Sequence, residues 1–125
     1  MAVSPQISDA EWEVMKTVWD AQPVATSDVC QRLAAEHGWA PRTIKTMLNR
    51  LVNKGALAYE VDGKRFLYRA TVNRNACVRH ESKSFLARVF DGSVTPAIVH
   101  LLSHSKLSND ELTELRRILD EEKTK

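Results

Sequence analysis

The sequence of 125 residues is poor in cysteine, glycine and proline and contains no long apolar run. Its two cysteines, Cys30 and Cys77, lie 47 positions apart, so we expect neither a disulfide-stabilised secreted domain nor a zinc ribbon. Only four glycines and four prolines, with 27% charged residues, exclude a collagen-like or low-complexity chain. No run approaches the roughly 20 apolar residues of a membrane helix, and the first residues lack the pattern of a signal peptide. These absences predict a reduced, cytoplasmic protein without membrane insertion.

The sequence also lacks the motifs of catalysis and of cofactor binding. It contains no nucleophile elbow, Gly-rich phosphate loop or carboxylate cluster, so we expect no enzyme activity and no cofactor. His100 and His104 are four residues apart and share a helix face, but no third zinc ligand is evident near them. We therefore expect no metal site. A binding function is favoured over a catalytic one.

Basic residues are concentrated in the central part of the chain. Residues 1–40 carry two basic and six acidic groups, and residues 91–125 carry five basic and seven acidic groups. Residues 41–90 carry eleven basic and three acidic groups, a net charge of +8. A basic block between acidic flanks is typical of a surface that binds a polyanion. Long basic side chains also solvate helix surfaces without binding anything, so the charge pattern alone leaves that alternative open.

Two short helices are predicted in the acidic first part of the chain. Ser8 and Glu11 have the spacing of a capping box, and a helical apolar stripe over residues 9–20 follows it. Thr26 or Ser27 is expected to cap a second helix. The residues expected to face inward there are Val29, Cys30, Leu33 and Ala34, and the predicted stop signal is Gly38.

A third helix and a β-hairpin follow in the basic part. Pro41 suits the first position of a helix, and the apolar face predicted behind it consists of Ile44, Met47, Leu48 and Leu51. Asp62-Gly63 separates two runs rich in aromatic and β-branched residues, which is a strong hairpin signal. Three helices and then a hairpin is the order of the winged helix-turn-helix fold. Since a lone hairpin is marginally stable in water, it must pack against the helices.

The remainder of the chain is predicted to be helical. Helices are expected over residues 73–90, from Thr95, and from a second capping box at Ser108. This tail is too small to bury its apolar faces alone. It therefore either folds back on the winged helix or pairs with the tail of a second copy. We favour pairing with a second copy, because symmetric dimers are common. The sequence thus predicts a mainly α fold with a winged-helix domain over residues 1–72 and a helical dimerisation region over residues 73–125. The expected dimerisation residues are Phe85, Val89, Ile98, Leu101, Leu112, Leu115 and Leu119.

The polar face of the third helix has the composition of a major-groove reader. Arginine binds guanine through two hydrogen bonds, and threonine offers a hydroxyl and a methyl group. Because the first turns of a recognition helix usually meet base edges, the predicted base contacts are Arg42, Thr43, Thr46 and Arg50. Contacts to phosphates position a protein without specifying sequence, and those predicted here are Lys45, Asn49, Lys54, Lys64 and Arg65. The expected partner is double-stranded DNA.

Three stretches carry a resemblance to a known family. Residues 6–15 (QISDAEWEVM), 39–51 (WAPRTIKTMLNRL) and 54–57 (KGAL) resemble the penicillinase and methicillin-resistance repressors, the BlaI/MecI family, which is related to the copper-responsive CopY repressors. Looser similarity extends through the tail. The resemblance implies a winged helix with a helical dimerisation region and repression of transcription by a homodimer on a palindromic operator. The positions that match the family's DNA contacts are Arg42, Thr43, Thr46 and Arg50.

The sequence departs from this family pattern in two places. The chain has no cysteine after Cys77, whereas the copper branch uses a C-terminal pair of Cys-x-Cys motifs, so copper sensing by that route is not expected. In the β-lactam branch, the resemblance implies a membrane-bound sensor metalloprotease that cuts an Asn-Phe bond; the corresponding bond here is His100–Leu101. The inducing signal therefore stays open, as do two alternative functions, a winged-helix protein-interaction adaptor and a repressor that senses a metal or small ligand directly.

Overall fold

The computed structural model describes residues 5–124 as six helices and a three-stranded antiparallel sheet. The chain divides into two compact units, one ending at Glu81 and the other beginning at Ser82. In chain order, the elements are α1 (Asp9–Ala21), β1 (Val24–Ala25), α2 (Thr26–His37), α3 (Pro41–Asn53), β2 (Leu57–Asp62), β3 (Arg65–Ala70), α4 (Arg74–Phe90), α5 (Val94–Ser103) and α6 (Asn109–Lys123). The predicted winged-helix order of three helices and a hairpin is confirmed.

The first helix begins at the capping box that the sequence indicates. The Glu11 backbone N–H donates to Ser8 Oγ at 3.2 Å, and the Ser8 backbone N–H donates to Glu11 Oε1 at 2.9 Å. Together they satisfy two backbone donors that a helix start leaves without partners. This fixes the register of α1, and its apolar stripe then places Val14, Met15 and Val18 fully inside the core.

The core of the first unit lies where α1, α2 and α3 converge beneath the sheet. The four apolar residues predicted for α3 are all buried, and three of them have no exposed surface: Ile44, Leu48 and Leu51. Each fully buried aliphatic side chain contributes on the order of 2 kcal/mol relative to an exposed one. One face of α3 is therefore held firmly, which leaves the opposite face to solvent.

The second helix differs from its prediction in two respects. Its N-cap is Ala25, which offers no side-chain hydrogen bond, so neither Thr26 nor Ser27 serves as the cap. Ala34, expected to face inward, is exposed, and Cys30 is only half-buried. The reason is that Val29 and Leu33, one turn apart, define the buried stripe, and Ala34 lies about 100° around the helix from Leu33.

The hairpin turn is displaced by one residue from the predicted Asp62-Gly63 pair. Asp62 pairs with Arg65, so Gly63 and Lys64 are the two central turn residues. Gly63 has φ of 64°, a backbone conformation that glycine adopts without steric cost. A turn with glycine first is a favoured hairpin connection, and here it places Lys64 at the tip of the wing.

A third strand, β1, was not predicted from the sequence. Its two residues pair with β3, Val24 opposite Tyr68 and Ala25 opposite Leu67, so β3 is central in the order β1-β3-β2. The side chain of Gln22 adds a contact, since its Oε1 accepts from the backbone N–H of Ala70 at 2.8 Å. The hairpin is thereby joined to the segment that leads into α2.

The second unit consists of the later part of α4 with α5 and α6. Asp91, with φ of 51°, and Gly92, with φ of 83°, end α4 as predicted, and α6 starts at the predicted capping box of Ser108 and Glu111. Among the described residues of this unit, Ala97 is the only buried apolar one. No single helix in residues 5–124 is long and apolar enough to cross a membrane, and α4 with α5 passes such a test only as a bent pair, by length and composition alone.

Candidate nucleic-acid interface

The face of α3 opposite its buried stripe is polar and open to solvent. Every residue predicted on this helix to contact DNA is exposed: Arg42, Thr43, Lys45, Thr46, Asn49 and Arg50. The helix is strongly amphipathic because apolar residues recur only on the buried side. Six donor or acceptor side chains are therefore brought together on one convex surface.

Within this polar surface, one hydroxyl already has a partner. The Thr46 Oγ1 donates to the backbone carbonyl of Arg42 at 2.9 Å. Its oxygen can still accept a hydrogen bond, and the Thr46 side chain is exposed. The guanidinium groups of Arg42 and Arg50 form no ion pair with the described carboxylates, so both are available to an external anion.

The wing adds cations beside α3. Lys64 at the wing tip is exposed and forms no ion pair within residues 5–124. Arg65 contacts Asp62 at 3.1 Å, but both side chains are about 60% exposed. Exposed pairs of this kind contribute little energy, and Arg65 can exchange Asp62 for a phosphate at small cost.

Lys54 occupies a different environment from the other predicted phosphate contacts. Its Nζ donates to Glu11 Oε1 at 2.5 Å and to the backbone carbonyl of Gln6 at 2.8 Å. The Glu11 side chain is only 3% exposed. Burial raises the pKa of Glu11, but hydrogen bonds from Lys54 and Ser8 and the charge of Lys54 outweigh it, so the pKa lies below its ordinary value. Lys54 thus ties the end of α3 to the start of α1.

A groove that the sequence did not indicate runs between α2, α3 and the wing. Its volume is about 800 Å³, and the wing contributes Phe66 and Tyr68 to one wall. Burial raises the pKa of Tyr68, although a hydrogen bond with Thr26 partly offsets this effect. The period-two alternation of β3 could have shown that Phe66 and Tyr68 share a face, but not that this face meets α2.

The described residues also include one cluster with metal-ligand chemistry. Single ligand atoms of Glu13, Glu36 and His37 lie within 4.8 Å of one another. Lys16 contacts Glu13 at 2.6 Å and Arg32 contacts Glu36 at 3.0 Å, so both carboxylates already have cationic partners. The cluster is a surface ion-pair network that joins α1 to α2.

Apolar side chains predicted for dimerisation are exposed in the second unit. Those with large exposed fractions are Phe85, Val89, Ile98, Leu101 and Leu119, at 38 to 58%, whereas Leu112 and Leu115 are half-buried. Large contiguous apolar patches are uncommon on monomers, whereas single exposed apolar side chains are ordinary.

Comparison with known proteins agrees with these features. Residues 7–121 match the family model described as penicillinase repressor. The penicillinase repressor of Bacillus licheniformis is 39% identical to this chain, and the match covers 97% of this chain and 94% of that protein. The methicillin resistance regulatory protein MecI of Mammaliicoccus sciuri is 32% identical, and the match covers 92% of this chain and 94% of that protein. A solution structure of Bacillus licheniformis BlaI, in monomeric form with the blaP half-operator, is 42% identical with a TM-score of 0.54, covering 61% of this chain and 93% of that one. The resemblance seen in the sequence is confirmed: the chain belongs to the penicillinase repressor family.

Proposed function

We propose that this protein is a sequence-specific DNA-binding repressor of transcription that acts as a homodimer on a palindromic operator. The observation that carries the proposal is the exposed polar face of α3 beside the basic wing, in a chain whose relatives are named as repressors. The similar BlaI structure has DNA as its partner. Such a protein acts by occupying DNA rather than by catalysis, and its place of action is the cytoplasm.

Base contacts and phosphate contacts are assigned to different parts of the first unit. Base contacts are assigned to Arg42, Thr43, Thr46 and Arg50, because α3 presents them on its convex side. Phosphate contacts are assigned to Lys45, Asn49, Lys64 and Arg65, at the flank of α3 and on the wing. Lys54 contributes to the positive field, but its ammonium is held by Glu11. DNA binding thus belongs to residues 1–72.

Dimerisation is assigned to the helical region, residues 73–125. The exposed apolar residues of α4, α5 and α6 support it, because pairing with a second copy would remove this surface from water. The operator of the similar BlaI was studied as a half-operator, which is consistent with one protein copy on each half. Two recognition helices would then enter major grooves about one helical turn, or a small multiple, apart.

Relief of repression is assigned to cleavage near His100–Leu101 by a membrane-bound sensor metalloprotease. Both residues lie within α5 and are exposed, Leu101 by 54%. A protease binds its substrate as an extended strand, so α5 would have to unwind locally before the bond is cut. The short length of α5, ten residues, makes such unwinding accessible.

Gel-shift titration of the full chain tests DNA binding. Fragments from the region upstream of its own gene should bind when they contain a palindrome. If each subunit neutralises about four phosphates, the logarithm of the binding constant should fall with the logarithm of salt concentration with a slope of about −7. An interaction adaptor would show no shift on any palindromic fragment, and that result would overturn the proposal.

Two matched variants test the division into base and phosphate contacts. Arg50→Ala should cost about 1–3 kcal/mol for each half-site and relax specificity at one base pair in each half-site. Lys64→Ala should weaken binding to all sequences alike and reduce the steepness of the salt slope by about 2, that is about 1 for each subunit of the dimer. Lys106→Ala, an exposed lysine of the second unit, is the control and should bind as the parent protein does. A uniform loss with Arg50→Ala would show that this arginine contacts phosphate instead.

A further inference from the structure

The groove between α2, α3 and the wing has the size of a small-molecule site. Its volume of about 800 Å³ lies within the range of ligand pockets in proteins. One wall is formed by the wing, with the exposed Phe66 and the largely buried Tyr68, and another wall is formed by α2, with Cys30 and Ala34. Both walls belong to the first unit, where β1 fixes the sheet against the start of α2.

The charged residues that line this groove are all cationic. Lys45, Lys64 and Arg65 line it, and no lining residue is acidic. Within residues 5–124, neither Lys45 nor Lys64 has an ion-pair partner. The side chains of Gln31 and Asn49 also line the groove and form no hydrogen bond with described residues. The groove therefore offers positive charge and free polar groups to an anion.

The aromatic side chains at the groove indicate a ligand that has an apolar part as well as a negative charge. Phe66, which lines the groove, is 43% exposed, and Tyr59, which lies outside the groove, stacks on it with ring centroids 4.9 Å apart and is 47% exposed. A wing that only touched phosphates would gain nothing from these rings, whereas exposed apolar clusters rimmed by polar groups mark ligand sites. Stacked rings beside ammonium groups suit a flat apolar molecule that carries a negative charge.

We propose that this groove binds a small planar aromatic carboxylate and that its occupant competes with DNA. The ring would lie along the exposed Phe66, and the carboxylate would accept hydrogen bonds from Lys45 and Lys64. The competition rests on the proposed function, since the same two lysines are assigned to phosphates. Binding in the groove itself does not depend on that function.

Titration of the isotope-labelled full chain with 2-naphthoate, followed by amide NMR, tests the site. A ligand of this size should bind with Kd on the order of 1 mM. The shifts should concentrate at Thr26, Ala34 and Phe66. The neutral analogue 2-naphthalenemethanol should bind at least about tenfold more weakly, because it lacks the charge-assisted hydrogen bonds. Shifts confined to the apolar residues of the second unit, or equal binding of the neutral analogue, would overturn the proposal.

Two neighbouring alanines provide a matched pair of variants. Ala34 lines the groove and Ala35 does not, and both are exposed on α2. Ala34→Trp should fill the groove and lower naphthoate affinity at least about tenfold, while Ala35→Trp should leave it unchanged. Gln31→Trp fills the groove from the same helix and serves if Ala34→Trp does not fold. Unchanged affinity in a folded, groove-filled variant would overturn the assignment.

Operator binding with and without 2-naphthoate separates this inference from the proposed function. At a ligand concentration ten times its Kd, the apparent DNA affinity should fall about tenfold for each groove, and so about a hundredfold for a dimer whose two grooves must both be empty. Sodium acetate at equal ionic strength is the control, because DNA binding is sensitive to salt. An equal loss in acetate would refute competition. Absence of DNA binding without any ligand would instead refute the repressor function and leave naphthoate binding to be judged by NMR.

Discussion

Replacing Lys54 with methionine should destabilise the first unit by about 2 kcal/mol. Methionine retains the apolar stem but removes the ammonium group, which donates to Glu11 Oε1 and to the Gln6 carbonyl. A hydrogen bond to a charged group contributes about 1.5–3 kcal/mol. The estimate stays in the lower part of that range because the Lys54 side chain is 35% exposed, so water reaches the site after the change. For a chain of this size the melting temperature should fall by roughly 8 °C.

Urea unfolding, followed by tryptophan fluorescence, measures this loss. A double-mutant cycle with Glu11→Gln isolates the pair, because glutamine keeps the capping hydrogen bond and removes only the charge. The coupling energy should be about 1–2 kcal/mol. Lys64→Met, which changes an exposed lysine without an ion-pair partner among the described residues, is the control and should shift stability by no more than about 0.5 kcal/mol.

The effect of Lys54→Met should depend on pH in a defined direction. The pKa of Glu11 is lowered in the folded protein, so its contribution to stability is fully present above the ordinary value of 4.5. It is lost as the pH falls through the folded-state pKa, where the carboxylate becomes protonated. The difference in the free energy of unfolding between the parent protein and Lys54→Met should therefore become smaller below pH 4.5. If Lys54→Met left the stability at pH 7 unchanged but weakened DNA binding, the structural role of Lys54 would be refuted, and its ammonium group would be assigned to a phosphate contact instead.

Three further changes have defined outcomes. Gly38→Ala should lower the free energy of unfolding in urea by about 1 kcal/mol, because alanine is strained at the Gly38 φ of 71°. An added Cβ would meet no atom within 4 Å, so this backbone strain is the whole cost. An unchanged unfolding midpoint would contradict this prediction. Ser108→Ala should remove the cap of α6 and lower its local stability by about 1 kcal/mol, seen as faster amide exchange in the first turn of α6. Leu119→Asp, at a site 58% exposed, should shift the proposed dimer toward monomer in sedimentation without loss of helicity; sedimentation identical to that of the parent protein would remove Leu119 from the proposed interface.

Local sequence signals predicted the helices well where a cap and an apolar stripe coincide. The capping boxes at Ser8 and Ser108 mark helix starts that the structure shares, and Pro41 opens α3 as expected. The exposed polar face of α3 follows from the same periodicity, because burial of Leu48 and Leu51 leaves the opposite side to water. Such features depend on residues within one or two turns of one another.

The structural features that the sequence did not predict depend on contacts between residues far apart in the chain. The two residues of β1 are too few to show alternation, and they form a strand only because β3 offers a free edge. Glu11 and Lys54 are separated by 43 positions, so their contact could not be read from spacing. The groove beside Ala34 arises because the wing folds back toward α2, which local periodicity does not encode.

The short strand β1 has a consequence for the kinetics of recognition. Through it, the wing and the helix-turn-helix form one sheet-linked body, secured by the Gln22 side chain on Ala70. A surface that is ordered beforehand loses little conformational entropy when a duplex arrives. Sequence discrimination would then appear mainly in residence time, with correct and incorrect sites captured at similar rates and released at very different ones.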